Sequence, residues 1–187
     1  LMLGNEAVAR AARDAGVRVV SSYPGTPSTE ITENCAKYKE IYAEWAANEK
    51  VAAEVALGSA AAGARSMCCM KHVGLNVAAD PLFTSAYSGI HAGMVFVVAD
   101  DPGMHSSQGE QDSRYYAMSA HVPMLEPSDS NEAYAFTRLA YEISEQLGAP
   151  VLVRLTTRIA HSRSLVGVGE YHDAGVKEYI SESFKYV

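Results

Sequence analysis

The sequence predicts an α/β domain built on an open parallel sheet with helices on both faces. Apolar β-branched runs alternate with helical patterns along most of the chain. The helical segments between them are long enough to serve as βαβ crossovers, which parallel strands require. The 187 residues suffice for one domain with a substantial core and leave little room for a second.

In chain order, residues 5–15 read as a helix with Asn5 as N-cap and Gly16 as the C′ residue. "VRVVSSY" (17–23) is a strand, and the turn cluster "PGTPS" opens a helix near Thr26, which Thr26 or Ser28 can cap. "EIYAEWA" (40–46) is a weaker strand, followed by a helix over 49–64 in which Gly58 and Gly63 permit close packing. "RSMCCMKH" (65–72) is a strand. Residues 75–88 are largely helical with a break at Pro81, and "GMVFVVAD" (93–100) is a buried strand. After a polar loop come a short helix (113–120), an extended piece "VPMLEP", a strong amphipathic helix (130–148) and a last strand (150–157). The pattern fades from about His161, so the domain is expected over 1–160, with 161–187 as a tail or linker.

Hydrophobic residues make up 48% of the chain and charged residues 20%, as in ordinary globular proteins. A net charge of −7 without a Lys/Arg stripe argues against nucleic-acid or anionic-membrane surfaces. No apolar run reaches the roughly 18–20 residues of a membrane span, and the first residues lack a signal-peptide pattern. The absence of an initiator Met and the ending "ESFKYV" suggest a piece of a longer chain. Cys35 and the adjacent Cys68 and Cys69 form no disulfide framework, so buried reduced thiols and a cytoplasmic location are expected. Neighbouring strand residues point to opposite faces, so Cys68 and Cys69 make a poor joint metal site. The six histidines show no metal-ligand spacing, and no metal site is expected in this chain.

Phosphate-loop, dinucleotide, nucleophile-elbow, H-E-x-x-H and C-x-x-C motifs are absent. In an open parallel sheet ligands bind beyond the carboxyl ends of the strands. That rule selects "YPGTPS" (23–28), "ANEK" (47–50), "KHVGLN" (71–76) and "ADDPGMHSSQGEQDSRYY" (99–116), all polar or glycine-rich. Glu49 has two readings. After the N-cap Asn48 it can simply complement the helix dipole, contributing about 0.3–1 kcal/mol. Alternatively, the apolar helix behind it implies a buried carboxylate, which needs a partner that a ligand nitrogen could supply. Lys50 and Glu54 form a solvated pair one turn apart. The turn at 23–28 either caps a helix or binds an anion there. In the 99–116 loop, donors crowd together, and Arg114 either grips a substrate carboxylate or pairs with Glu110 or Asp112.

The stretches "YPGTPSTEI", "EWAANEKVAAEVALGSAAAGAR", "MKHVGLNVAADPL" and "VVADDPGMHSSQGEQDSRYYA" resemble the amino-terminal part of indolepyruvate ferredoxin oxidoreductase alpha subunits, over roughly residues 1–163. They are similar, less closely, to the same region of pyruvate and other 2-oxoacid ferredoxin oxidoreductases. The resemblance implies a thiamine diphosphate pyrimidine-binding domain of an enzyme that oxidatively decarboxylates arylpyruvates to aryl-acetyl-CoA, with ferredoxin as electron acceptor. In thiamine enzymes a Glu after the second strand hydrogen-bonds N1′ of the aminopyrimidine and thereby promotes deprotonation of the thiazolium carbon. Glu49 matches that position and would be the catalytic residue, provided apolar packing keeps it protonated against the helix dipole.

Carried over in the same way, Tyr23, Pro24, Gly25, His72, Gly74 and Asn76 would contact the cofactor. Thr26, His105, Ser106, Ser107 and Arg114 would contact the substrate, Thr26 through the 2-oxoacid carboxylate. The Gly-Asp-Gly…Asn motif that holds Mg²⁺ and the diphosphate is missing, as are ferredoxin-type cysteine clusters. These are expected in a diphosphate-binding domain and other parts of the full-length subunit, which would bring 4Fe-4S clusters and act with coenzyme A, a beta subunit and ferredoxin in an oligomer. The fragment alone would be inactive. Two alternatives stay open: another 2-oxoacid, such as pyruvate, as substrate, or a non-catalytic interface or sensor module on the same fold.

Overall fold

The computed structural model describes residues 1–179. The elements run β1 (Met2–Leu3), α1 (Gly4–Asp14), β2 (Val19–Ser22), α2 (Thr29–Cys35), β3 (Tyr42–Trp45), α3 (Glu49–Ala61), β4 (Ser66–Lys71), α4 (His72–Val77), α5 (Ala79–Ser88), β5 (Met94–Asp100), α6 (Arg114–Ala120), β6 (Met124–Leu125), α7 (Ser130–Leu147), β7 (Val151–Thr156), α8 (Thr157–His161) and β8 (Arg163–Ser164). Six strands form one parallel sheet in the order β3-β2-β4-β5-β7-β6, and β1 pairs with β8 in a small antiparallel ribbon.

The sheet is covered on both sides, so its central strands read as unbroken apolar runs. Their side chains alternate between two cores. Met67, Cys69, Val95, Val97 and Val153 pack under α1, α2 and α7. Cys68, Met70, Phe96, Val98 and Leu152 pack under α3, α4, α5 and α6. All three cysteines are free and buried, the adjacent pair on opposite faces. Burial pushes every thiol up, that of Cys69 to about 12, which suits packing and not reactivity.

Several local expectations are corrected. Asn5 is not the N-cap of α1: it lies inside the helix, buried, and donates to the Pro27 carbonyl and the Glu30 carboxylate. The break after α4 falls at Ala78, one turn before Pro81, which sits in the first turn of α5 where its missing N–H costs nothing. Gly58 permits no close packing, since a Cβ there would meet nothing within 4 Å; Ala52, Ala53, Ala56 and Ala60 are the buried small residues of α3. Gly63 ends that helix region at φ +96°. Gly16 adopts the expected left-handed conformation, at φ +73°.

The segment after His161 does not trail away within the described residues. It leaves α8, passes β8 and then lies along the amino-terminal edge of the sheet. There the His172 N–H donates to the Asp14 carbonyl, Arg18 pairs with Asp173, and the Lys177 N–H donates to the Gly63 carbonyl. It is held by backbone hydrogen bonds and isolated side-chain pairs without periodicity, so no strand or helix pattern marks it in the sequence. Residues 180–187 of the expected tail lie outside the described residues.

Candidate active site

The carboxyl ends of β3, β2, β4 and β5 lie side by side, so the loops that follow them share one edge of the sheet. Glu49 opens α3 there. Asn48, extended at φ −164°, accepts the Val51 N–H at 3.0 Å and caps the helix as expected. The helix start is not buried: Lys50 and Val51 are exposed and Glu49 is half-buried, because nothing among the described residues covers the end of α3. The carboxyl of Glu49 lies against α4, where a Cβ on Gly74 would come 2.6 Å from its Oε1 and 2.9 Å from its Cδ. No hydrogen bond or ion pair engages that carboxyl among the described residues. It can therefore give or take one hydrogen bond with a ligand nitrogen.

Next to it is the turn after β2. Ser28 does not cap α2 and neither does Thr26. Instead Ser28 Oγ donates to the Gly25 carbonyl at 2.8 Å, and Thr29 Oγ1 accepts the Gly25 N–H at 2.9 Å. These bonds, with Asn5 holding Pro27 from below, fix a turn whose Tyr23, Pro24 and Thr26 face solvent. The Thr26 hydroxyl has no protein partner among the described residues. The aliphatic stem of Lys71 lies against Gly25: a Cβ there would be 3.3 Å from Lys71 Cγ.

His72, expected at the cofactor, turns its ring into the protein, where it braces the loop after β5. Its ring is fully buried. Nδ1 lies 3.3 Å from the Asp101 N–H and accepts it, while Nε2 lies 2.8 Å from the Gly109 carbonyl and donates to it. Both contacts are satisfied by one neutral tautomer with the proton on Nε2. Gln111 adds a bond to the His72 carbonyl at 2.9 Å. The ring thus ties the start of α4 to the loop after β5. Asn76 is exposed and accepts from the Tyr116 hydroxyl.

Asp101, outside the expected set, organises the same loop. Burial would raise its carboxyl, but hydrogen bonds from the Ser106 N–H, the Thr157 and Ser107 hydroxyls and the His105 N–H hold it well below the ordinary carboxylate range. Ser106 and Ser107 therefore shape the loop, and His105 stands exposed on it. Arg114 is half-exposed and places its Nε 3.1 Å from Asp112 and 3.4 Å from Glu126. Behind it the buried Arg154 pairs with Asp100 at 2.7 Å and with Glu126. Arg114 thus takes the pairing alternative and is partly neutralised. Together the edge offers an uncommitted acid, a rigid polar turn and an anchored loop.

The family model described as pyruvate flavodoxin/ferredoxin oxidoreductase, thiamine diphosphate-binding, matches residues 10–183. The indolepyruvate oxidoreductase subunit IorA of Methanothermobacter thermautotrophicus is 55% identical over 171 residues, covering 90% of this chain and 28% of the relative. The same subunit of Thermococcus kodakarensis is 51% identical over 173 residues, covering 91% and 27%. The 2-oxoglutarate synthase subunit KorA of Methanothermobacter thermautotrophicus is 26% identical over 175 residues, 88% of this chain and 46% of that one. A solved 2-oxoglutarate:ferredoxin oxidoreductase from Magnetococcus marinus, with 2-oxoglutarate, coenzyme A and succinyl-CoA bound, superposes at a TM-score of 0.78 and 24% identity, covering 86% of this chain and 30% of that one. That likeness supports the fold alone. The chain spans less than a third of the length of the IorA relatives it matches. On this match the chain belongs to the thiamine diphosphate-binding family of pyruvate flavodoxin/ferredoxin oxidoreductases.

Proposed function

We propose that the chain is the pyrimidine-binding half of a thiamine diphosphate-dependent oxidoreductase that converts arylpyruvates such as indolepyruvate to aryl-acetyl-CoA, with ferredoxin as electron acceptor. The observation that carries this reading is the Glu49 carboxyl: half-buried, without a protein partner among the described residues, and seated in a hollow that a Cβ on Gly74 would fill. Identity of about half to the indolepyruvate subunits, against about a quarter to a 2-oxoglutarate subunit, supports an arylpyruvate substrate.

The residues present fit the cofactor's aminopyrimidine. When bound, thiamine diphosphate supplies the nucleophilic carbon and the electron sink that decarboxylation needs. Glu49 would hold a proton at pyrimidine N1′, and Gly74 would keep the carboxyl in place. Tyr23, Pro24 and Gly25 would wall the site, and Thr26 would offer its hydroxyl to the substrate carboxylate. The covering domain would exclude water from the end of α3 and so favour the protonated acid there. Mg²⁺ and the diphosphate grip belong in this proposal to the diphosphate-binding domain of the full-length subunit, and 4Fe-4S clusters to the full enzyme, which acts with a beta subunit, coenzyme A and ferredoxin. Buried reduced thiols fit a cytoplasmic setting, and no described helix is long and apolar enough to cross a membrane.

The test is Glu49→Gln in the holoenzyme. Hydrogen exchange at the reactive thiazolium carbon should fall about 100-fold or more while the circular dichroism spectrum stays unchanged. An unchanged exchange rate refutes the role and leaves the chain a non-catalytic module on this fold. Turnover of aryl and alkyl 2-oxoacids compared side by side decides the substrate.

A further inference from the structure

The reacting 2-oxoacid carries a carboxylate into an edge rich in acidic groups, so a cation has to meet it. Most cations along that edge are already engaged. Lys50 lies 3.0 Å from Asp80 and 3.8 Å from Glu54. Arg114 lies between Asp112 and Glu126, and Arg154 is buried on Asp100 and Glu126. Arg158 follows β7, two strands from β4 in the sheet order, in a separate cavity with Pro102, His105, Thr156 and Thr157.

Lys71 differs from all of these. It ends β4, between the turn after β2 and the loop after β5. Its stem is laid along Gly25, with Cγ, Cδ and Cε at 3.3, 3.5 and 3.7 Å from the position of a Cβ there. Its Nζ lies 3.5 Å from Ser107 Oγ, in the loop that Asp101 holds through the Ser106 N–H. No carboxylate lies within 4.0 Å of that ammonium among the described residues. An ammonium has three donors, and this one uses a single long bond.

We propose that Lys71, and not Arg114, is the cation that binds the substrate's carboxylate, held in place by Gly25 and Ser107 and assisted by Thr26. This rests on the 2-oxoacid chemistry proposed above. A point charge on a stem packed against glycine reaches the carboxylate without discriminating among side chains, so Lys71 selects for 2-oxoacids as a class, and the side-chain pocket lies elsewhere.

The experiment compares Lys71→Met, which keeps the stem and removes the charge, with Lys71→Arg and Arg158→Gln in the holoenzyme. For each, KM is measured for several aryl and alkyl 2-oxoacids and for coenzyme A. Exchange at the thiazolium carbon without substrate reports on the integrity of the site. Lys71→Met should raise KM for whichever 2-oxoacids the enzyme turns over by about 10- to 100-fold, with carbon exchange and the coenzyme A KM unchanged. Lys71→Arg should recover part of the loss, and Arg158→Gln should change none of these values. An unchanged 2-oxoacid KM in Lys71→Met overturns the proposal, as does an equal rise in the coenzyme A KM or a larger effect from Arg158→Gln. Wild-type preference for an alkyl 2-oxoacid would instead refute the arylpyruvate reading, and the Lys71 comparison would still decide on that substrate.

Discussion

The carboxyl group of Glu49 rests on the bare α-carbon of Gly74, so close that a methyl group there would lie 2.6 Å from Oε1 and 2.7 Å from Cγ. Glu49 is set by the helix it opens, and Gly74 by the helix that follows β4. Their contact fixes where the acid can be offered. Gly74→Ala would meet the movable end of a half-buried side chain, not backbone, and alanine favours the helical conformation by up to about 1 kcal/mol. The variant should therefore keep wild-type stability, within about 1 kcal/mol by urea titration, yet lose exchange at the thiazolium carbon nearly as far as Glu49→Gln. The double variant should be no slower than Glu49→Gln alone, because both changes act on one carboxyl.

Asp101 and His72 together hold the 102–112 loop. Removing the His72 ring leaves the Gly109 carbonyl and the Asp101 N–H without their partner and opens a void beneath the loop. His72→Ala should cost about 2–4 kcal/mol in chemical denaturation. It should also open the loop to limited proteolysis between Pro102 and Asp112. Asp101→Asn, which keeps the volume, should give the same cleavage pattern with a smaller stability loss. A ¹⁵N spectrum of the His72 ring should show the proton on Nε2.

The sheet and its flanking helices were legible because period carries that information. Central strands buried on both faces announce themselves as apolar runs, and Asn48 and Gly16 sit where a helix must start or stop. The site was half legible. The rule that ligands gather beyond strand ends picks out one edge of the sheet, but it does not say which way a side chain turns. His72 is a polar residue at a strand end in sequence, and only the fold shows its ring passing inward to meet Asp101 and Gly109.

The roles of Asp101 and Lys71 are not legible in the sequence, since they depend on how the loop after β5 folds back and on distant partners: Thr157 for the one, Ser107 for the other. The signal available was an acid directly after a buried strand and a lone lysine at the end of another. The surroundings of Glu49 differ from those its helix suggests. An apolar helix suggested a buried start, whereas α3 buries its side against the sheet and leaves its end for whatever covers it.

The three thiols give a direct check on the core. Cys35, Cys68 and Cys69 are each 0–1% exposed, and burial pushes their thiols upward. None should react with iodoacetamide at neutral pH in the native protein, and all should react in denaturant. Labelling of Cys68 or Cys69 without denaturant would contradict the two-core arrangement of the sheet.

Gly63 joins the end of α3 to the strap along the amino-terminal edge. Its φ of +96° disfavours any side chain, and a Cβ would lie 2.2 Å from the Lys177 carbonyl oxygen, a backbone atom that cannot simply swing aside. Gly63→Ala should therefore destabilise the protein by about 2–4 kcal/mol and increase amide exchange at His172 and Lys177. Exchange at the thiazolium carbon should be untouched, because the strap and the Glu49 edge lie at opposite ends of the strands.

The pair Arg65–Glu145 supplies a pH-dependent share of stability. Hydrogen bonds from Arg65 at 2.8 and 3.0 Å, against the opposing effect of partial burial, hold the Glu145 carboxyl at about 2, below the ordinary 4.5. A carboxyl depressed in the folded state contributes fully above its unfolded value and loses that contribution as pH falls through its folded value. The loss should therefore run from about pH 4.5 down to about pH 2. Arg65→Met should cost about 1–3 kcal/mol at pH 7. The gap between wild type and variant, measured by denaturant titration at each pH, should narrow across that window. It should not close, because Arg65 also donates to the Ala15 carbonyl at 2.7 Å and lies over the Tyr141 ring, and neither contact depends on the charge of Glu145. A gap that stays constant from pH 7 to pH 2 would show that the carboxylate does not depend on Arg65 for its ionisation.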